Sequence, residues 1–239
     1  MMEERLLKQK LDIRVVDDDG NGFLLERMPF NVAEVGDCAK QSTFSLSHSF
    51  DNYFNDFIKY ALIEQDEKVV TLTQHKDNLN TGFLSFGGTR PGLCSIEWHT
   101  FPETLIDFDS AWRFDLDSIS IGSFKVKQPG RAKFNINNKY FKMSSLVYDR
   151  VVKELGIIKN HGKCTNSKNI TFNLNGFDLH LNSKHYMEER KHNNKNCNFL
   201  GVRGDDNDDF ELPSSLLGDY CLMFDYERNE IGISERLYD

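Results

Sequence analysis

The most informative segment of this chain is residues 130–156, GRAKFNINNKYFKMSSLVYDRVVKELG. Its pattern predicts a strand with a polar break, followed by a helix. Ser144 and Ser145 can cap that helix, and Gly156 lies at its end. The apolar positions of the helix follow a 3.6-residue period, and they are Val147, Tyr148, Val151, Val152 and Leu155.

This layout resembles the active-site segment in the C-terminal lobe of pepsin-like aspartic peptidases. There a strand delivers Asp-Thr-Gly or Asp-Ser-Gly, and a helix with a Ser-Ser-Val-Tyr-like opening follows. Aligning Tyr148 with the tyrosine of the family places Asn135-Ile136-Asn137 at the Asp-Thr-Gly position. The resemblance therefore implies that Asn135 stands where the family has a catalytic aspartate. The alternative is that Asn135 is an ordinary polar residue of a strand or turn.

An asparagine at this position removes a group that the chemistry of the family needs. Two carboxyl groups share one proton around a water, so that one takes a proton while the other polarises the scissile carbonyl. An asparagine side chain has nearly the shape of aspartate, but it cannot act as a base. We therefore expect no proteolysis from this chain.

Ordered anchors extend the resemblance over residues 13–233, most clearly after residue 82. The resemblance implies an all-β, pepsin-like fold with a few short helices, and the strand and turn patterns favour all-β without it. It divides the chain into a truncated N-terminal lobe, residues 1–92, and a nearly complete C-terminal lobe, residues 93–239. The anchors are Phe83, Leu84, Phe86, Gly87, Gly88, Trp98, Trp112, Leu116, Asp117, Ser118, Ile119, Ser120, Gly122, Leu217, Gly218, Asp219, Tyr220, Phe224, Asp225, Ile231 and Gly232.

Several elements can be predicted from periodicity alone. Residues 112–121 alternate as a strand with a bulge, and residues 170–181 form a hairpin turning at Asn175-Gly176. Residues 3–11 are compatible with a short helix. A second helical stripe consists of Phe54, Phe57, Ile58, Ala61 and Leu62.

Residues 15–28, VVDDDGNGFLLERM, allow three interpretations. Asp17, Asp19, Asn21 and Gly22 match positions of a calcium-binding EF-hand loop, but Met28 stands where a bidentate glutamate belongs. Alternatively, residues 13–24 align with the flap hairpin of the peptidases, without the tyrosine and glycines of its tip. The third interpretation is an acidic surface turn. The first catalytic aspartate of the family precedes the flap, so the flap alignment predicts that this chain lacks it.

The cysteines and one asparagine suggest covalent modifications. Five cysteines leave at least one unpaired within the chain. The resemblance implies a disulfide between Cys164 and Cys197, provided that the compartment is oxidising. Asn169-Ile170-Thr171 is a glycosylation sequon, which matters only in the secretory pathway.

Two groups of polar residues are expected to bind no metal. His180, His185, His192 and Cys197 have no recognised zinc spacing, so we expect solvated histidines. Nothing fixes the geometry of the acidic run at residues 205–209, and we expect a solvated loop there. The sequence predicts no cofactor.

Composition limits the partners and leaves the compartment open. The net charge of −8 argues against nucleic acid as a main partner, because phosphate recognition normally needs a basic face. No apolar run reaches the roughly 20 residues that span a bilayer. The charged start shows no apolar signal core. Members of the resembled family are usually secreted or lysosomal.

These observations lead to a ranked set of functions. The first is a pepsin-like protein without peptidase activity that binds a peptide or protein ligand. The second is an aspartic endopeptidase represented here by an incomplete gene model, and the third is a calcium-binding protein using residues 17–28. A truncated lobe would also leave sheet edges exposed, so we expect self-association.

Overall fold

The computed structural model describes residues 7–16, 22–32, 58, 61–63, 65–74, 82–89, 92–104, 111–136, 138–164, 168–190, 193–206 and 209–237. For residues 7–16 and 22–32 it describes the course of the backbone. Within these ranges the chain forms seventeen strands, two α-helices and one 3₁₀ helix. The expected all-β fold with a few short helices is therefore confirmed.

Most of the strands are short, with three to seven residues, and the helices with described bounds lie in the second half of the chain. The helices are α1 (Ser145–Leu155), α2 (Ser183–Tyr186) and the 3₁₀ helix η1 (Ser214–Gly218). The strands are β1 (Leu7–Val16), β2 (Gly22–Val32), β3 (Val69–Gln74), β4 (Gly82–Phe86), β5 (His99–Pro102), β6 (Arg113–Ile121), β7 (Phe124–Asn135), β8 (Phe141–Met143), β9 (His161–Lys163), β10 (Ile170–Leu174), β11 (Phe177–Leu181), β12 (Met187–Arg190), β13 (Asn193–Phe199), β14 (Gly201–Arg203), β15 (Phe210–Pro213), β16 (Tyr220–Asp225) and β17 (Glu230–Glu235).

The central layer is a seven-stranded sheet with the order β11-β10-β6-β7-β15-β8-β14. Strand β15 lies between β7 and β8, although β7 and β8 follow one another in the chain. It runs parallel to β7 and meets β8 in antiparallel fashion. The last residues of β7 therefore lie beside a strand that comes much later in sequence.

The predicted strand, hairpin and helix are confirmed. The register between β6 and β7 shifts between Leu116 and Ser118, which is the expected bulge. The β10–β11 hairpin turns through Asn175 (φ 46°) and Gly176 (φ 86°), both in the positive-φ region that a tight hairpin turn requires. Helix α1 ends at Gly156, whose φ of 65° is the usual left-handed cap.

One continuous core packs beneath this sheet. Helix α1 contributes the apolar side chains of its buried face. Strands β6, β10 and β11 contribute every second side chain, and all of these pack into one cluster. The fully buried side chains of this cluster include Phe114, Ile119, Ile121, Phe141, Val151, Phe172, Leu179 and Phe210.

A five-stranded sheet with the order β4-β3-β16-β17-β5 lies in the same chain. Strands β3 and β4 precede residue 92, and the other three strands follow it. Residues on both sides of that position thus share one hydrogen-bonded sheet. Ile58 and Leu62, which are helical in the structure, pack against Val70 of β3. Phe54 and Phe57 of the same predicted stripe lie outside the described residues.

The helix expected over residues 3–11 is wrong where the chain is described. Residues 7–16 form β1, which pairs with β2 in antiparallel fashion, from Leu7 opposite Val32 to Val16 opposite Gly22. Alternation at Leu11, Ile13 and Val15 was the strand signal, and pairing with β2 outweighs the weak helix propensity of the charged start.

Candidate functional site

Asn135 is the last residue of β7, where the strand gives way to a short turn. It lies opposite Pro213 in the parallel pairing of β7 with β15. The backbone N–H of Asn138 donates to the Asn135 carbonyl at 3.1 Å, and the Ser214 N–H donates to the Asn138 carbonyl at 2.9 Å. Both bonds fix the turn that follows β7. The position that the resemblance assigns to the catalytic aspartate is therefore fixed by pairing with β15 and by backbone bonds of the turn and of η1.

The side chain of Asn135 is bonded to a carboxylate. Its Nδ2 donates to Oε2 of Glu211 at 2.8 Å, across the β7–β15 pair. The Nζ of Lys133 lies 3.5 Å from Oε1 of the same carboxylate. Both charged side chains are about three-quarters buried, with 28% of Lys133 and 21% of Glu211 exposed. Glu211 thus accepts a hydrogen bond from a neutral amide and forms an ion pair with a lysine.

Glu211 was not predicted from the sequence. It lies 76 residues from Asn135, and the two meet only because β15 runs between β7 and β8. Within β15 the apolar Phe210 and Leu212 flank Glu211. This alternation is the one local signal that its side chain faces away from the core.

A second acidic residue, Asp209, is bound by two arginines. Its Oδ2 lies 2.5 Å from Nε of Arg113, and its Oδ1 lies 3.2 Å from Nε of Arg131. Asp209 is 11% exposed and Arg113 is 3% exposed. The expectation of a solvated acidic loop is therefore wrong for Asp209, because the arginines of β6 and β7 supply its counter-charges.

Residues 131–135 and 209–211 form one polar surface, which we name the β7–β15 polar face. It consists of the side chains opposite the core, whereas Ala132 and Phe134 of β7 pack on the core side. Its two positive charges lie on β7, its two negative charges lie on or just before β15, and the four charges balance. The members are Arg131, Lys133, Asn135, Asp209 and Glu211.

Asp206 has a different role, at the N-terminus of helix α1. Ser145 Oγ donates to Asp206 Oδ1 at 2.5 Å, and Ser144 makes no side-chain cap bond. The hydrogen bond from Ser145, followed by backbone bonds from Leu146 and Ser145, lowers the pKa of the Asp206 carboxyl. Ser144 therefore takes the predicted N-cap position without a side-chain cap bond, and the Ser145 hydroxyl donates instead to Asp206, 61 positions later in sequence.

The histidines are arranged differently from one another. His180 is exposed, and its Nδ1 lies 3.1 Å from Oγ1 of Thr171. His185 is buried, with its Nε2 2.8 Å from Oδ2 of Asp219, so the expectation of a solvated ring is wrong for it. Asp219 is the last residue of the Leu-Leu-Gly-Asp segment at residues 216–219. His192 lies outside the described residues.

Two disulfides cross-link the chain. The bridge between Cys164 and Cys197 that the resemblance implies is present, and it joins β13 to the end of β9. The bridge between Cys94 and Cys221 was not predicted, and it ties β16 to a segment 127 residues earlier. Cys197 is therefore not a thiolate that could bind a metal. Cys38 lies outside the described residues.

No group of three metal-binding side chains occurs in the described ranges. None of the helices described there is long and apolar enough to cross a membrane. The arrangement around Asn135 offers hydrogen-bond donors and acceptors and one carboxylate. It can hold polar groups of a ligand, but it contains no pair of carboxyls sharing a proton.

Comparison with known proteins agrees with this architecture. The family model described as eukaryotic aspartyl protease matches residues 38–236. A search of curated proteins gives no match. The family match covers most of the chain, including the strands on which Asn135 and Glu211 lie. The chain therefore belongs to the eukaryotic aspartyl protease family.

Proposed function

We propose that this chain is a pepsin-like protein that does not cleave peptide bonds and instead binds a peptide or protein segment. The observation that carries this proposal is the side chain of Asn135. It occupies the position that the resemblance assigns to a catalytic aspartate, and its amide donates to Glu211 at 2.8 Å.

Peptidase chemistry in this family depends on two carboxyls that share one proton. An amide cannot take a proton from water near neutral or acidic pH. Glu211 does not replace the pair, because a single carboxylate has no partner with which to share the proton. The sequence also contains no Asp-Thr-Gly or Asp-Ser-Gly. Loss of a positioned acid or base costs on the order of 10²- to 10⁴-fold in rate.

Ligand binding is supported by what the site retains. The β7–β15 polar face keeps donors and acceptors beside the turn after Asn135. Strands β1 and β2 pair in antiparallel fashion at the position aligned with the flap of the peptidases. An extended peptide can bind to such surfaces through its main-chain N–H and C=O groups, with its side chains adding specificity.

The test combines cleavage and binding on the same purified chain. We expect no cleavage of a denatured protein at acidic or neutral pH. We also expect at least one fluorescent peptide from a random-sequence library to bind saturably. Glu211→Ala should weaken that binding, whereas Asp149→Ala, an exposed change on helix α1, should leave it unchanged. Cleavage blocked by a transition-state-analogue inhibitor would overturn the proposal, and so would the absence of any binding peptide.

The second candidate is an aspartic endopeptidase whose sequence here is incomplete. Family membership favours it, because the match extends over residues 38–236. Asn135 argues against it. Inhibitor-sensitive cleavage by the protein from its natural source would favour this candidate over the first.

Calcium binding through residues 17–28 is the third candidate. Residues 22–28 belong to strand β2, whereas an EF-hand continues from its loop into a helix. Residues 17–21 lie outside the described residues. We expect calorimetric titration with calcium to show no binding heat, and a saturable heat that Asp17→Asn abolishes would support this candidate.

We also propose that the chain consists of two lobes, residues 1–92 and 93–239. A further proposal is that it self-associates through the edges of its sheets. In the described ranges, β4 and β5 are the edges of the five-stranded sheet, and β11 and β14 are those of the seven-stranded sheet. Edge strands present unpaired N–H and C=O groups to other chains. Sedimentation should therefore show dimers or larger species, and a monomer at high concentration would contradict this expectation.

A further inference from the structure

We propose that Asn169 carries an N-linked oligosaccharide. Asn169-Ile170-Thr171 has the acceptor pattern Asn-x-Ser/Thr. No other asparagine of the sequence has Ser or Thr two positions later. The proposal thus concerns a single position and is independent of the proposed ligand binding.

The fold holds Asn169 at the surface between two anchored neighbours. The hydroxyl of buried Tyr186 donates to the Lys168 carbonyl at 2.6 Å, and burial raises the pKa of Tyr186 to about 12, so this donor stays protonated. Ile170 is fully buried at the start of β10. Asn169 itself is exposed. An oligosaccharide on its Nδ2 would extend into solvent without displacing core side chains.

The surface next to Asn169 is polar. On the outer face of β10 and β11, Thr171 Oγ1 lies 3.1 Å from His180 Nδ1, and Asn173 Nδ2 donates to Asp178 Oδ1 at 2.6 Å. A hydrated oligosaccharide would cover no apolar patch there. The opposite face of both strands is buried in the core.

The two disulfides are an independent observation that favours this modification. Disulfides such as Cys94–Cys221 and Cys164–Cys197 form and persist mainly where the environment is oxidising. The secretory pathway of a eukaryotic cell provides that environment. It also supplies the oligosaccharide for asparagine modification.

The modification is a group transfer from a lipid-pyrophosphate-linked oligosaccharide. A bond forms between Asn169 Nδ2 and the anomeric carbon of the first sugar, and the bond from that carbon to the pyrophosphate oxygen breaks. The amide nitrogen loses one proton, and the lipid pyrophosphate leaves with the bonding electrons. In the folded chain Thr171 is half-buried beside His180. We therefore place the transfer before the β10–β11 hairpin closes.

The test expresses the full chain behind a cleavable secretory leader with eukaryotic microsomes. Intact mass is measured before and after an amidase that releases N-linked oligosaccharides. We expect the wild-type chain to lose the mass of one oligosaccharide and Asn169→Gln to lose none. Because the measurement uses the microsomal fraction, a variant that misfolds still gives a result.

Thr171 offers a matched pair of variants. Thr171→Ser keeps the acceptor pattern and should keep the mass loss, whereas Thr171→Ala removes the hydroxyl and should abolish it. Both changes shorten the same half-buried side chain, so a general folding effect would affect both. An unmodified wild-type chain, or a mass loss that persists in Asn169→Gln, would overturn the proposal.

Discussion

At the scale of single residues, the hydrogen bond between Asn135 and Glu211 depends on one donor atom, Nδ2 of Asn135. Asn135→Asp would replace the donating Nδ2, 2.8 Å from Oε2 of Glu211, with a second carboxylate oxygen. Two carboxylates at this distance raise the pKa of the pair. We expect this variant to lose roughly 1–3 kcal/mol of unfolding free energy at neutral pH, as measured by urea denaturation.

The sign of the pH dependence follows from that raised pKa. In the unfolded chain the new carboxyl titrates at about 3.9, and in the folded chain it titrates higher. The penalty is therefore complete above the folded pKa and disappears as the pH falls below the unfolded value. Adding Glu211→Gln should restore most of the stability at neutral pH, because the new amide at position 211 then donates to the carboxylate at position 135. Equal stability of Asn135→Asp and wild type at neutral pH would exclude the described contact.

Asp206 gives a second residue-scale prediction. Its pKa is lowered below the ordinary 3.8, chiefly by the hydrogen bond from Ser145. The stabilisation it gives helix α1 is therefore present above that value and is lost as the pH falls through the folded pKa. NMR titration of the carboxyl carbon should show the lowered pKa, and Ser145→Ala should raise it. An unchanged pKa in Ser145→Ala would contradict this assignment.

At the scale of elements, the Arg113–Asp209 ion pair connects β6 to the start of β15. Breaking a buried pair by removing one partner typically costs about 3–5 kcal/mol, because the other charge stays buried. We expect Asp209→Ala to approach this loss in thermal or urea unfolding. The matched control is Asp149→Ala, which removes an exposed pair with Arg203 that is worth roughly 0–1 kcal/mol. Similar losses in both variants would contradict the burial of the Asp209 pair.

The elements that could be predicted from sequence are those with local signals. The β10–β11 hairpin has alternation and Asn175-Gly176, helix α1 has its apolar period and Gly156, and β6 shows its bulge as a phase shift. The contacts of Glu211, Asp209 and His185 could not be predicted in this way. Each depends on partners far away in sequence, and no local pattern specifies which strand lies beside β7.

The role of Asn135 stays a prediction, and the sequence indicated its position but not its partner. The position of Asn135 came from its spacing to Tyr148, which a strand-to-helix unit preserves. Its partner, Glu211, could be identified only from the structure, in which β15 lies between β7 and β8. Likewise, the odd number of cysteines allowed the Cys94–Cys221 bridge without identifying it, since the two residues are 127 positions apart.

At the scale of the whole molecule, the two disulfides close loops of different length. Chain entropy predicts more stabilisation from the longer loop, about 5 kcal/mol for 127 residues and about 4 kcal/mol for 33. We therefore expect the Cys94→Ser/Cys221→Ser variant to lose more unfolding free energy than Cys164→Ser/Cys197→Ser. Urea unfolding of the oxidised proteins measures both. The reverse order would show that native packing, and not loop closure, dominates.

We propose above that this member of the eukaryotic aspartyl protease family does not hydrolyse peptides. The most direct measurement is the cleavage of a denatured protein by the chain purified from its natural source, with its intact mass determined in the same preparation. We expect no cleavage that a transition-state-analogue inhibitor of aspartic peptidases can block. Inhibitor-sensitive cleavage by a preparation whose mass and peptide sequence confirm Asn135 would contradict the proposal.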